Sequence, residues 1–356
     1  MLAHAPYMEW AKSRPRAAID LAGSNLLACA LADLPGAREA VDLSGESPEG
    51  YPPLVDEIAR AHGVAPDRIA TAGGCSGANF LTLAALLQAD DEVLVESPFY
   101  DPLPAAARLV GGRIAHFARR FEDGYDVDPD IVAAALTRRT RLLVLTHPHN
   151  PSGALVSEDR LREIVRMAER HGFGILVDEV YLDAVADGRP RPAATLSETC
   201  ISTSGLGKVY GLASLRCGWA IASAEIARRL RRARDLVDVW SPIPSDRLAT
   251  LAFRNLEALA TRARSIVSEN GALVAAFLAG TPELECVPSR ATVAFPRIRG
   301  SSDAGPFVER LFRETGTAAV PGRFFGAPAH FRIAFGGDPA QVARGLEAIR
   351  RTLPSG

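Results

Sequence analysis

The chain reads as an α/β protein built on a mainly parallel sheet. Three features of the sequence carry this: short apolar runs recur between helical stretches, those runs are nearly uninterrupted, and glycine-rich or polar turns follow them directly. Strands alternating with helices make βαβ units. Uninterrupted apolar strands suit a sheet covered on both faces. Turns at strand ends are where open α/β sheets bind ligands.

Taken in order, residues 1 to about 45 are mixed and show no long periodic segment. A helix is expected behind Pro52-Pro53, from Leu54 to Ala61, stopping at Gly63. A short strand, Arg68 to Thr71, leads into the turn Gly73-Gly74-Cys75-Ser76-Gly77 and a helical stretch from Ala78 to Leu87. Glu92 to Val95, Arg141 to Leu145 and Gly174 to Val177 read as buried strands. Between the last two, Ser157 looks like an N-cap, with Leu161, Ile164, Val165 and Ala168 at helical spacing and Gly172 as the stop. A further helix is expected from Ala224 to Trp240, with Ile226, Leu230, Ala233 and Val237 on its apolar face. Its run of Arg228, Arg229, Arg231, Arg232 and Arg234 reads as a solvated face. Ser241 to Pro244 suggests a hinge. A long helical region to about Ala279 follows, then an α+β segment with strands near Thr292 to Phe295 and Phe331 to Phe335.

Composition bounds the function. A chain of 356 residues with 47% hydrophobic residues can bury a large core in two or three units. The formal net charge of -2 argues against general nucleic-acid binding. Five widely spaced cysteines signal neither a disulfide framework nor a zinc site. No apolar run reaches the length of a membrane span, and Glu9 and Lys12 interrupt any leader-like stretch. The expectation is a soluble, cytoplasmic protein.

Five motifs carry candidate chemistry. Val177-Asp178-Glu179-Val180-Tyr181 puts an acid at a strand end, and His149-Asn150-Pro151-Ser152-Gly153 puts an amide donor and acceptor there. Lys208 lies between small residues and an apolar stretch, in Ser204-Gly205-Leu206-Gly207-Lys208-Val209-Tyr210-Gly211-Leu212, where burial would lower its pKa and make it a usable nucleophile. Arg216, in Leu215-Arg216-Cys217-Gly218-Trp219, offers a planar fork suited to a phosphate. Arg332 sits within the apolar strand Phe331 to Phe335, and a buried arginine needs an anion, either a bound ligand or an internal salt-bridge partner. His147 and His149 flank Pro148, but no third metal ligand is evident, so no metal is expected.

The order and spacing of HNPSG, DEVY and GKVYGLASLRCGW resemble the class I/II aminotransferases, the fold-type I enzymes that use pyridoxal 5'-phosphate, from about Tyr51 to Arg332. The resemblance implies a large α/β domain, residues 46–245, with a mainly parallel seven-stranded sheet. A small α+β domain would combine residues 1–45 and 246–356, and its closure would bring Arg332 onto the substrate. The resemblance also implies roles. Lys208 falls on the Schiff-base lysine, Asp178 on the partner of the pyridine nitrogen, and Tyr181 and Asn150 on the partners of the ring hydroxyl. Gly74, Cys75, Ser76 and Gly77 fall on the phosphate cup and Arg216 on a phosphate ligand. Tyr100 falls on the aromatic that stacks on the ring, and Arg332 on the grip for the substrate α-carboxylate. Tyr51 falls on the tyrosine that reaches the neighbouring subunit's phosphate, implying a homodimer with shared sites.

One departure stands out. Where the family carries hydroxyl residues three before and one before the lysine, this chain has Gly205 and Gly207, with Ser204 one position out of place. Ser204 is expected to help hold the phosphate if it can reach. The resemblance implies amino transfer from an L-amino acid to a 2-oxo acid. Lyase, decarboxylase or cyclase chemistry at Cα or Cβ, including cyclases that form arginine-derived amino acids, is the alternative on the same scaffold. A nucleotide-binding reading of Gly205 to Lys208 fails, because position 202 is Ser202 and Val209 follows the lysine. A regulator built on this fold would need an added DNA-binding domain, for which residues before Tyr51 leave no room.

Overall fold

The computed structural model describes residues 4–354. Its central feature is a seven-stranded sheet. Before it in the chain come α1 (Pro6–Ser13) and α2 (Pro52–His62). Both start with proline in the first turn, where a missing N–H costs nothing and the fixed φ is already helical. That is why α2 starts two residues before Leu54. Gly63 then ends it in the left-handed conformation, φ +65°.

The sheet strands are β1 (Ile69–Gly73), β2 (Glu92–Ser97), β3 (Arg113–Ala118), β4 (Thr140–Thr146), β5 (Gly174–Asp178), β6 (Cys200–Gly205) and β7 (Cys217–Ile221). Their spatial order is β1-β7-β6-β5-β4-β2-β3. All neighbours are parallel except β7, which runs antiparallel to both β1 and β6. The reason is the connection. Residues 206–216, which carry Lys208, return from β6 to β7 without a crossover helix, and a parallel pairing needs one.

Helices cover both faces. The helix α3 (Gly74–Leu86) follows β1 directly, and α4 (Glu158–His171) lies between β4 and β5. In α4, Leu161, Ile164, Val165 and Ala168 are buried and Gly172 ends the helix, as their spacing predicts, but Ser157 makes no side-chain cap bond. Next comes α5 (Ala224–Arg234), which stops short of Trp240. Here the solvated-face reading needs a correction. Arg228 and Arg229 pair with Glu225 at the surface, but Arg234 is only 1% exposed. It lies four residues beyond Leu230 and seven beyond Ala227, so it shares their buried face. There it donates to Thr71 Oγ1 at 2.8 Å and to the Pro48 carbonyl at 3.2 Å.

The second half of the expected hinge is helix: α6 (Ile243–Arg254) begins within it, and α7 (Leu256–Ala279) follows. The C-terminal part contains β8 (Val293–Ala294), α8 (Gly305–Thr315), β9 (Val320–Pro321), β10 (Phe331–Ala334) and α9 (Pro339–Thr352), with order β8-β10-β9 in a small antiparallel sheet. A separate core cluster joins Leu21 of the N-terminal segment to Phe307, Phe331 and Leu346. Leu26, Leu34, Ala249 and Phe253 pack instead with Leu54, Leu206 and Trp219, so apolar packing crosses the expected boundaries near residues 45 and 246.

Candidate active site

The ends of β4, β5 and β6 bring Thr146, Asp178 and the segment leading to Lys208 to one cavity. Its walls include Cys75, Ser76, Tyr100, Asn150, Tyr181 and Lys208. A roomier hollow of about 390 Å³ lies elsewhere, lined by Arg60, Arg189, Arg254 and Arg264. Each of those arginines already faces an acid, namely Glu57, Asp183, Glu57 and Glu257 respectively, so that hollow presents no free charge.

Lys208 donates from Nζ to Ser24 Oγ at 3.1 Å, a partner 184 residues away in sequence. Burial pulls its amine below the usual range; the neighbouring Tyr7 opposes this and the Arg332 charge adds to it. Asp178 is buried at the end of β5. Its Oδ2 accepts from Asn79 Nδ2 at 2.7 Å, and its Oδ1 accepts from Val180 N at 3.1 Å and faces Cys75 Sγ at 3.3 Å. Cys75, read as a small helix-start residue, therefore also has a polar contact.

Behind Asn150, which lines the cavity, stands Arg332, fully buried on β10. Nη1 donates to Asn150 Oδ1 at 3.1 Å, and Nη2 donates to Tyr7 Oη at 2.8 Å and to the Ala22 carbonyl at 3.0 Å. Its Nε has no partner, nor has the buried hydroxyl of Tyr181, whose pKa burial pushes up to about 12. Tyr7 hangs from α1, its N–H donating to Asp101 Oδ2 at 2.9 Å and its ring packed edge-on to Tyr100 at 6.1 Å between centroids. Burial works to raise the Tyr7 pKa, but the charge and hydrogen bond of Arg332, together with the charges of Lys208 and Arg14, leave the phenol lowered.

The turn after β1 is lined by glycines for steric reasons. Gly74 has φ +79°, and a Cβ there would lie 2.5 Å from Arg216 Nη2. That guanidinium covers the turn and donates to the Gly73 carbonyl at 3.0 Å. Arg216 itself has φ +50°, a strained conformation for a side-chain-bearing residue that places its fork over the start of α3. The absent hydroxyl at position 205 has the same kind of cause, since a Cβ on Gly205 would lie 2.8 Å from the Cys217 carbonyl and 3.3 Å from Cys75 N.

Two further residues lie outside this cavity, Ser204 against expectation and Tyr51 as a residue expected to serve the neighbouring subunit. Ser204 aims its hydroxyl at the Glu179 carbonyl, 3.5 Å away, and lines a hollow with His62 and Trp219. Side chains alternate along β6, so Thr203 and Gly205, not Ser204, lie on the side of the strand that carries Cys75. Tyr51, at the start of α2, does not line the cavity of its own chain; Arg247 covers its ring at 5.8 Å. His149 is fixed between Ser152 Oγ at 2.7 Å and the Pro98 carbonyl at 2.9 Å, a structural role. Tyr7, Ser24, Asn79 and Thr203 were not singled out from the sequence. For Tyr7 a signal existed, since Pro6 opens a helix and Tyr7, Trp10 and Ala11 are spaced along one face.

A family profile described as Aminotransferase class I and II matches residues 33–349. The chain belongs to the class I and II aminotransferases. This aminotransferase is 32% identical over 312 residues to capreomycidine synthase of Streptomyces vinaceus, covering 85% of this chain and 80% of that one. It is 28% identical over 326 residues to the aspartate/prephenate aminotransferase of Thermus thermophilus, covering 86% of this chain and 82% of that one. A PLP-dependent aminotransferase from Streptococcus suis has the same fold, with a TM-score of 0.92 at 24% identity over 99% of this chain and 97% of that one. The reaction class of this aminotransferase is transfer of an amino group between an amino acid and a 2-oxo acid. No helix among its described residues is long and apolar enough to cross a membrane.

Proposed function

We propose that amino transfer here runs on pyridoxal 5'-phosphate attached to Lys208, with Arg332 binding the α-carboxylate of an L-amino acid. The observation that carries this reading is the meeting of Lys208, Asp178, Asn150 and Tyr181 in one cavity, with Arg332 bonded to Asn150. The chain's own groups fit the cofactor. The cleared glycine turn under Arg216 suits a phosphate at the start of α3. The unpartnered Tyr181 hydroxyl suits a ring oxygen, and the unpartnered Arg332 Nε suits a carboxylate.

The cofactor would supply an electron sink for charge left at the substrate Cα. The remaining work falls to side chains. Arg332 holds the carboxylate, and Asn150, Tyr7 and Ala22 fix the rest of its guanidinium. Lys208, biased toward the neutral amine by burial, moves the proton at Cα. Asp178 keeps a proton on the ring nitrogen. Ser76, Arg216 and the first-turn amides of α3 hold the phosphate, and Tyr100 packs against the ring.

The reading includes a homodimer in the cytoplasm. Tyr51 stands away from its own cavity, and Leu43, Leu236, Val237 and Val239 are large apolar side chains left exposed in the single chain. Sedimentation equilibrium at micromolar concentration should return twice the chain mass.

A second reading draws on one observation, the relative named as a synthase. On it, the same residues would serve cyclisation, elimination or decarboxylation. Incubation with the cofactor, amino acids and a 2-oxo acid separates the readings. Amino transfer yields a new 2-oxo acid and amino acid, and Lys208→Ala abolishes both this and the visible absorbance of bound cofactor. Ammonia, carbon dioxide or a cyclised product in place of an oxo acid establishes the second reading. No spectral response to any amino acid would defeat both.

A further inference from the structure

We infer that Asn79, held in one orientation by Thr203, is a positioning residue that keeps Asp178 charged and aimed at the ring nitrogen of the cofactor. The inference rests on the cofactor reading above and goes beyond it.

Asn79 lies in the second turn of α3, among the buried Ala78, Leu81 and Leu83, and is itself buried. Asparagine is a poor helix former and its amide is costly to bury unpaired. A buried helical asparagine is therefore explained by its bonds. Nδ2 donates to Asp178 Oδ2 at 2.7 Å, and Oδ1 accepts from Thr203 Oγ1 at 2.5 Å. Thr203 stands opposite Asp178 in the register of β5 and β6, so the three groups tie a helix and two strands together beneath the cavity.

The chain of bonds has a direction. Thr203 can turn its hydroxyl hydrogen toward the amide oxygen, which leaves the amide N–H for the carboxylate. Rotating the amide would set its oxygen against Asp178. The other carboxylate oxygen has the longer contacts to Val180 N and Cys75 Sγ, so Asn79 makes the shortest bond to Asp178. The ionisable groups facing Asp178 are Cys75 from α3, Tyr100, Tyr181 and Lys208. Only Lys208 among them favours its charge as a cation. Burial pushes the Asp178 carboxyl up, and Asn79 is the largest opposing influence. Without Asn79 the carboxylate becomes more basic and takes the shared proton from the ring nitrogen. A neutral ring is a weaker electron sink.

The test compares wild type, Asn79→Leu, Thr203→Val and Thr203→Ser, each loaded with pyridoxal 5'-phosphate. It reads the pH midpoint of the visible absorbance change, the dissociation constant of the cofactor, and kcat and KM. Loss of a hydrogen bond to a charged group should move the midpoint upward by about one pH unit in Asn79→Leu. Thr203→Val, nearly isosteric and expected to fold, should move it the same way by less, and Thr203→Ser should keep the wild-type value. In Asn79→Leu kcat should fall about tenfold while KM changes little, because the loss is felt in the chemical step. If wild type shows the band and Asn79→Leu and Thr203→Val both titrate at its midpoint, the inference is wrong. If wild type binds no cofactor at all, the cofactor reading fails and takes the inference with it.

Discussion

The two ends of the cavity are built in opposite ways. At the Arg332 end the protein has nearly completed the site: a buried guanidinium is held by Asn150, Tyr7 and Ala22, and only Nε is free. At the Arg216 end the protein clears space. Gly74, Gly205 and Gly218 let three backbone segments close on the turn, and the charge comes from an exposed arginine. A buried cation must have most of its N–H groups hydrogen-bonded by fixed partners before any ligand arrives. A rim cation is hydrated and can wait. On the proposed reading, the end that would take the carboxylate is rigid and selective, and the end that would take the phosphate depends on shape.

Variants at each end should break this contrast differently. The largest effect is expected for Arg332→Ala, which removes the charged group proposed to hold the substrate carboxylate and leaves Asn150 and Tyr7 without their partner. Here kcat/KM for amino acids should fall by about a thousandfold or more, with cofactor binding retained. Steady-state kinetics beside an absorbance titration would check this, and loss of cofactor binding would contradict the proposed division of roles. Next comes Gly205→Ser, which supplies the hydroxyl of the family pattern. Its Cβ would meet the Cys217 carbonyl at 2.8 Å, so the variant should bind cofactor more weakly and lose about 1–3 kcal/mol of stability in denaturant titration. Tighter binding would mean that the glycine is not a steric necessity.

A smaller effect is expected for Tyr7→Phe, which removes one hydrogen bond from Arg332 and leaves the ring packed on Tyr100. KM for amino acids should rise about five- to tenfold with kcat little changed. The smallest effect concerns Glu179, next to Asp178 but outside the cavity. Burial raises its pKa to about 8, while its side chain accepts from Ala193 N at 2.7 Å. The folded state thus keeps a proton that the unfolded chain releases from about pH 4.5 upward. Stability from this group is present below that range and is lost as pH rises toward 8. Glu179→Gln should remove this loss, so its melting temperature should gain on wild type by roughly 2–4 °C between pH 5 and pH 8.

Much of the site was legible because its residues sit in short motifs at strand ends. DEVY and HNPSG are local signals, and parallel strands carry their ends to the same edge of the sheet. Asp178, Tyr181, Asn150 and Lys208 could be expected together for that reason. Ser204 was misread because the two faces of β6 alternate, and only the register decides which residue faces the cavity. The burial of Arg234 was missed because a run of arginines looks solvated until one of them falls on the apolar face of its helix.

The sequence by itself determined the alternation of strands and helices, the mainly parallel sheet and the motifs that mark one edge of it. Those depend on periodicity and turn chemistry over a few residues. Tertiary structure alone decided that Tyr7 meets Arg332 across 325 positions, that Ser24 meets Lys208, and that Asn79 and Thr203 stand behind Asp178. Such contacts join segments remote in sequence, and a single side chain has no period to announce them. The opposed ends of the cavity follow from this: the glycine turn could be read along the chain, while the partners of Arg332 emerged only when the chain closed on itself.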